Sequence, residues 1–505
     1  MRIKNTLKNS LYAILSYFLL AILALAVRKV FIQFLPVEYL GYEGLFGNLF
    51  ALIAIADLGI ETVILYRMFP AFAKKDREEI NKIIAIYKLL YRFVGLAIFI
   101  IGICLLPFLK FIISEQKTSW NYIYIVYLIQ LLASLCTYFL AYKRLMFIVD
   151  QKEYICTKAD TFCSVVMNVI RLAVIILFNS YILYLVTSLV TNIASNIIIS
   201  NKIKKEYPFL NESTKVTFKD IQSLGIKNDL KNNIVQKICT TIYSGTDNIM
   251  VSTFLGISKV GILTNYYLIQ SYITKFFTKL LSPFQMSIGN YIYSEDTESG
   301  GMFFRMFDFI SFFIATIISI SYMVLLNPFI ELWLGSNYLL SNGFVFFFVF
   351  NQYITWNHQF LCYYRYSFGN YELDRTPIFI ATILNIVLSV SLCKSLGVTG
   401  VMLGTAVANI GIWYGRVRVV YSEYMKENIK HYFYRQIIRI ILWGIELVIV
   451  YNICNFFQAT PLGILERLLT ILIIVCSFNF IFYSKTKEMK LIFEYIKKIK
   501  EVTLG

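Results

Sequence analysis

Six lysines and arginines lie inside otherwise apolar stretches of this chain: Arg28, Lys29, Arg92, Arg171, Lys275 and Lys279. An ionised side chain held in hydrocarbon costs about 2.5–3.5 kcal/mol on insertion scales, so one that is kept usually faces a water-filled cavity or a partner. All six are cations. Arginine offers a planar fork that holds an oxyanion bidentately and lysine a mobile point charge, so the chemistry on offer is capture of an anion. Lys275 and Lys279, four apart, share one helix face. The competing reading is that Arg28, Lys29, Arg92 and Lys279 snorkel to an interface along their apolar stems. Arg171 and Lys275 lie deeper and fit that reading less well.

The acidic groups are fewer. Asp57 and Glu61 are four apart, and Asp247, Asp308 and Glu446 stand alone in apolar surroundings. An embedded carboxylate can carry a proton or Na⁺ and so couple movement to a gradient. Asp247, Lys237 and Asp57 are the ion-coupling candidates. Lys237 precedes Asp247 by close to three helical turns, so the two can share a face without touching. A structural role for Asp247, pairing with a neighbouring helix, is the equal alternative. No paired carboxylates or DxD motif stand at a plausible site, so no catalytic residues are assigned and an enzyme is not expected. The cluster Ser294-Glu295-Asp296-Thr297-Glu298 reads as a solvated turn. Nine cysteines without a CxxC, and only two histidines, support neither disulfides, a metal site nor a cofactor.

Apolar stretches must position these groups. They run at about 10–34, 42–66, 89–112, 121–142, 159–178, 182–201, 238–254, 261–284, 306–331, 339–361, 376–393, 398–415, 436–454 and 463–483. A hydrocarbon core of about 30 Å takes about 20 helical residues, and backbone facing lipid must bond within its own helix. The composition, 58% hydrophobic and 15% charged over 505 residues, excludes a water-soluble fold. An all-α membrane protein of about 14 transmembrane helices is expected. Of its 47 lysines and arginines, 36 fall at the N-terminus, in every second connection and in the C-terminal tail once Lys275 and Lys279 are set aside as embedded. Positive charge in short loops marks the cytoplasmic side, so both termini are expected there and the helix count is even. Met1 to Ala26 imitates a signal peptide but reads as an uncleaved first helix, because its apolar run continues past Arg28 and Lys29.

The net charge of +17 is spread among loops rather than gathered in a basic domain, which argues against nucleic acid and for anionic lipids as partners. The tail 485–501 sets Leu491, Ile492, Tyr495, Ile496 and Ile499 at helical spacing among lysines, as in a helix lying on the inner leaflet. Pro107, Pro283 and Pro328 fall in or at the ends of helices and predict kinks.

The long polar connection 201–233 splits the first twelve helices into two sets of six. Leu35-Pro36-Val37-Glu38-Tyr39-Leu40-Gly41 lies 220 positions before Leu255-Gly256-Ile257-Ser258-Lys259-Val260-Gly261. A weaker match sets Thr187-Ser188-Leu189-Val190 beside Thr405-Ala406-Val407-Ala408. Six is even, so the halves run in the same sense, a parallel repeat of the kind found in transporters. The predicted divisions are an N-lobe 1–203, a cytoplasmic connection 204–232, a C-lobe 233–421, and 422–505 holding helices 13 and 14 and the basic tail.

Asp247-Asn248-Ile249-Met250, Phe254-Leu255-Gly256, Val260-Gly261 and Tyr266-Tyr267 resemble the helix 7 to 8 signature of polysaccharide-repeat flippases in the MOP superfamily. Leu40-Gly41, Gly44-Leu45-Phe46 and Ala56-Asp57-Leu58-Gly59 resemble their first two helices, and Gly397-Val398-Thr399-Gly400 with Thr405 and Ala406 their helix 11 to 12 turn. The resemblance implies a MATE-like pair of six-helix lobes plus two C-terminal helices in a bacterial cytoplasmic membrane. It implies alternating access that moves undecaprenyl-pyrophosphate-linked oligosaccharide repeat units from the inner to the outer leaflet for surface polysaccharide such as capsule or O-antigen. A proton or Na⁺ would be the coupling ion, and a polysaccharide polymerase and glycosyltransferases would be partners. Related lipid-precursor flippases carry an Arg-Asp pair in helix 1; Val27-Arg28-Lys29 is similar, with Lys29 in place of the acid, so only Arg28 carries over. The six cations would then form a substrate-binding cavity for the pyrophosphate. Two alternatives stand: a multidrug or organic cation exporter, which should show an acid-lined cavity, and a polytopic polysaccharide polymerase.

Overall fold

The computed structural model describes residues 2–494, apart from 58, 211–213, 215, 218, 219, 222–225, 293–296, 368–374, 426 and 427. The middle of the acidic cluster at 294–296, Leu58, and Tyr495, Ile496 and Ile499 of the tail therefore lie outside the described residues. The described elements are all helical. Among the described residues ten helices are long and apolar enough to cross a membrane, which makes this a multi-pass membrane protein.

Contacts divide the chain into two compact units, 1–264 and 265–505. The first contains α1 (Arg2–Phe34), α2 (Val37–Ile53), α3 (Ile60–Ala73), α4 (Arg77–Leu105), α5 (Trp120–Leu140), α6 (Glu153–Phe178), α7 (Tyr181–Glu206), α8 (Ile226–Leu255) and the start of α9 (Ile257–Ile292). Within it α1 packs on α6, α6 and α5 on α7, and α8 on α2. The second contains the rest of α9, α10 (Thr297–Leu334), α11 (Asn342–Asn357), α12 (Gln359–Ser367), α13 (Arg375–Leu396), α14 (Val398–Val419), α15 (Ile429–Cys454) and α16 (Pro461–Tyr483). There α13 pairs with α14, α11 lies against α10 and α14, and α15 and α16 both pack on α10.

Four expected crossings differ from the ten. The stretch 42–66 is broken into α2 and α3 by a 3-10 turn at Ala54–Asp57 and by Gly59, which adopts φ +80°. A glycine tolerates that left-handed backbone where a side chain would be strained. The stretch 339–361 is divided between α11 and α12 at His358. The stretches 238–254 and 261–284 are parts of α8 and α9, whose polar residues keep their mean hydropathy low. Helix starts carry their own signals: Asp76, Ser180, Ser341, Asn428 and Thr460 each accept a backbone N–H from the first turns of α4, α7, α11, α15 and α16. On the connection after α7, the backbone N–H and hydroxyl of Thr217, together with Lys82, hold the Asp220 carboxyl well below the usual carboxylate range.

The repeat seen in the sequence meets itself inside the first unit. A Cβ added to Gly41 would sit 2.2 Å from the Ile257 carbonyl oxygen, and one added to Gly261 would sit 2.2 Å from the Val37 carbonyl oxygen. These contacts are reciprocal under the 220-residue offset, as a local two-fold requires. Ser258 donates to Glu38 at 3.1 Å, and Gly44 abuts Thr264, again between equivalent positions. The first turns of α2 and α9 thus cross backbone to backbone, which only glycine permits. Gly41→Ala or Gly261→Ala is expected to cost about 1–3 kcal/mol through overpacking. Thermal unfolding of the purified protein reads it, with Gly47→Ala as control, since nothing lies within 4 Å of a Cβ there.

Candidate substrate-binding site

Two of the six predicted cations meet in the first unit. Arg28 lies two turns before the end of α1, and Arg171 two turns before the end of α6. At 1.5 Å per residue each is about 10 Å below its helix end, within the half of the span away from the N-terminus. Tyr184, in the first turn of α7, stands 5.1 Å from Phe31 of α1, one turn beyond Arg28. The Arg171 guanidinium stands 5.0 Å over the Tyr184 ring centroid. The turn between α6 and α7, with Asn179 left-handed at φ +47°, brings the two side chains together.

The supports of Arg171 are neutral. Its Nε donates to Thr187 Oγ1 at 2.7 Å, Nη1 to Asn168 Oδ1 at 3.2 Å, and Nη2 to Ser188 Oγ. Arg28 Nη1 donates to Thr264 Oγ1 at 3.3 Å. Among the described residues neither guanidinium has a carboxylate at ion-pair distance. Both are half-buried. Behind them tyrosines stack in a column: Tyr122 on Tyr39 at 5.7 Å, Tyr39 on Tyr181 at 4.6 Å, and Tyr181 on Tyr184 at 5.9 Å. Phe31 sets its edge against both Tyr181 and Tyr184. The Tyr181 and Tyr184 rings are buried, and the Arg171 guanidinium packs over the second of them. In the second unit Thr405, the repeat counterpart of Thr187, accepts from Asn385 at 3.0 Å, so an uncharged amide takes the place of a cation there.

The other predicted cations are placed separately. Lys29 and Arg92 are exposed on α1 and α4 and have no ion partner among the described residues. Lys275 and Lys279 are exposed on the part of α9 in the second unit, Lys275 lying 5.7 Å from the Tyr272 ring centroid. Glu43 escaped the sequence reading. It lies in a glycine-rich segment that gives no periodic signal, and its Oε2 is buried without a hydrogen-bond partner.

A second polar space opens inside the first unit, a chamber of ≈ 600 Å³ lined among others by Asp57, Glu61, Arg144, Glu153 and Asp160. Arg144 forks onto Asp160 with two 2.8 Å bonds and reaches Asn196 at 2.8 Å. Asp57 pairs with Lys237 at 3.9 Å, leaving its Oδ1 without a hydrogen-bond partner. Two of the three ion-coupling candidates are thus joined across α8 and the α2–α3 turn. The third, Asp247, is buried farther along α8, beside Asn248, whose amide donates to the Gly44 carbonyl at 3.4 Å.

In the second unit the sequence reading missed a buried ionic network. Arg439 is buried and bonds Asp308 at 2.5 Å. Gln436 donates to Asp308 at 3.4 Å and accepts from Asn357 at 2.9 Å. Trp443 donates to Ser319, Asn479 to Glu446, and Arg467 to the Val324 carbonyl. Helices α15 and α16 are therefore bonded into their unit through polar groups on α10 and α11.

No family model and no curated protein matches the chain. Solved structures do. The lipid II flippase MurJ in an inward closed conformation matches with a TM-score of 0.68 at 15% identity, covering 94% of this chain and 99% of that one. An inward-facing multidrug resistance MATE transporter of the MOP superfamily matches at 0.59 and 14% identity, over 79% and 94%. A MOP superfamily transporter from Pyrococcus furiosus, described as having a binding pocket of reversed polarity, matches at 0.51 and 14% identity, over 85% and 97%. At these identities the likeness establishes the fold alone, one shared with MurJ and with MATE transporters.

Proposed function

We propose that this protein is a flippase for undecaprenyl-pyrophosphate-linked oligosaccharide repeat units, carrying them by alternating access from the inner to the outer leaflet of a bacterial cytoplasmic membrane for surface polysaccharide synthesis. The observation that carries this reading is the pair Arg28 and Arg171, two membrane-embedded guanidinium groups held by neutral hydroxyls and an aromatic ring. Such groups keep their charge for a ligand, and a diphosphate matches two forks. The fold shared with a lipid flippase over nearly the whole chain supports a lipid-borne substrate. In this reading the end bearing the α1–α2 and α6–α7 turns is outside and both termini are cytoplasmic. The tail of the carrier stays in lipid while the headgroup passes through the protein, and Lys275 and Lys279 supply further positive charge. Closure follows substrate binding only where the closed state binds more tightly, which two converging cations can provide.

The chamber with four carboxylates favours a second reading, export of an organic cation. Its charge is offset from within, because Asp160 is spent on Arg144 and Asp57 on Lys237. The flippase reading therefore ranks first. Depleting the protein in its own host separates them. The expected result is loss of surface polysaccharide with accumulation of lipid-linked repeat units accessible only from the cytoplasmic leaflet. Intact polysaccharide together with sensitivity to cationic drugs would establish the exporter instead.

A further inference from the structure

Between the start of α6 and the end of α7 an open concavity of ≈ 430 Å³ is lined by Tyr154, Ile155, Lys158, Lys202, Lys205 and Glu206. Lys158, Lys202 and Lys205 are exposed, and among the described residues none of them has a carboxylate partner. The single acid in the wall, Glu206, is taken by Lys152, which also holds Asp150 at 2.8 Å. Lys158 Nζ lies 4.1 Å from the Tyr12 ring centroid and 5.7 Å from that of Tyr154, and Lys8 Nζ 5.4 Å from Tyr154. The two rings stack at 6.1 Å. Asn9 clamps this wall to α6, accepting from the Tyr154 backbone N–H at 2.8 Å and donating to the Gln151 carbonyl at 3.0 Å. The backbone donor is thereby consumed, and ammonium groups are what the concavity presents.

Depth decides the ligand. Lys158 is one turn and a half into α6, and Lys202 one turn before the end of α7. Both spans are long enough to cross, so these lysines stand about 6–8 Å inside their helix ends, at the level of lipid phosphates. Tyrosines bridging an apolar body and a polar edge belong at that level. We infer that this concavity is a binding site for the phosphate headgroup of an anionic phospholipid, with Lys158, Lys202 and Lys205 as its cationic wall and Tyr154, backed by Tyr12, as its aromatic side. The site is separate from the Arg28 and Arg171 pair and does not depend on which substrate is carried.

The full-length protein, purified in neutral detergent, is mixed with phosphatidylglycerol or phosphatidylcholine. Retained lipid is counted by native mass spectrometry and thermal unfolding is followed. Phosphatidylglycerol should be retained and should raise the unfolding temperature above the phosphatidylcholine value, less so at high salt. A surface lysine near anionic lipid is worth about fivefold, so Lys158→Gln, Lys202→Gln and Lys205→Gln combined should lower retention on the order of 100-fold. The corresponding three Lys→Arg changes should keep it. Lys202→Gln alone repeats the comparison at about fivefold should the triple variant unfold in phosphatidylcholine. Wild-type retention in the glutamine variants overturns the site, as does equal protection of the wild type by inorganic phosphate.

Discussion

Arg171→Ala is expected to abolish delivery of lipid-linked repeat units to the outer leaflet while leaving the protein folded. The guanidinium has no carboxylate to strand when it is removed, since Thr187, Asn168 and Ser188 are neutral and can bond within their own helices, as Thr187 already does to the Tyr184 carbonyl at 2.6 Å. Losing one partner of a desolvated charge pair with substrate phosphate costs about 2–5 kcal/mol, or roughly 30- to 4,000-fold in occupancy. Arg28→Ala should act in the same direction. If both grip one diphosphate, the double variant falls short of the product of the two single losses. Arg171→Lys keeps the charge but loses the fork to Thr187 and Ser188, so it should recover only part of the activity. Flipping of lipid-linked oligosaccharide in proteoliposomes, normalised to folded protein, measures all four. Unchanged flipping in both alanine variants would sink the cationic-pair mechanism.

The largest effect on stability is expected at the buried pair of the second unit. Arg439 and Asp308 side chains are 5% and 3% exposed, and the guanidinium lies 5.1 Å from the Phe312 ring centroid and 5.8 Å from that of Phe309. Asp308→Ala leaves a cation in an aromatic pocket without its counter-ion, at a cost of about 3–5 kcal/mol. Replacing both partners with apolar residues of similar size, Asp308→Leu with Arg439→Met, removes the unpaired charge along with the bond, and stability should return to near the starting value. Membrane proteins of this size often unfold irreversibly, so the half-life at a fixed elevated temperature is the appropriate reading. A double variant as short-lived as the single one would mean that Asp308 matters through its bond to Gln436, and through that to Asn357, rather than as the counter-ion of Arg439.

Much of the fold was legible before any coordinates. Apolar length alone picks out α1, α4, α5, α6, α7, α10, α13, α14, α15 and α16, because a bilayer imposes its thickness on each helix separately. The repeat was legible too, since Gly41 and Gly261 with their flanking residues recur 220 positions apart, and the reason for those glycines emerged as the close crossing of α2 and α9. The break in 42–66 was not legible, because Ala54 to Asp57 look like ordinary helix formers and the turn is closed by long-range packing against α4 and α8.

For the site, residue type was readable and partnership was not. A buried cation announces itself by its apolar neighbours in sequence, which is how Arg28 and Arg171 were found. Arg439 sits near a run of loop-like charge and looks like one more cytoplasmic arginine until Asp308, 131 positions away, closes on it. Likewise Lys237 was matched in sequence with Asp247 on its own helix, but the structure gives it Asp57 from the α2–α3 turn.

By itself, then, the chain's order of residues determined that it is helical and spans a membrane, and which charges are costly there, since hydrophobicity and helix periodicity act within a single segment. Which charges remain free to take a ligand was decided only in the tertiary structure. Coulomb energy and hydrogen bonds depend on distances of a few ångströms between segments that lie tens to hundreds of residues apart, and those distances exist only once the helices have packed.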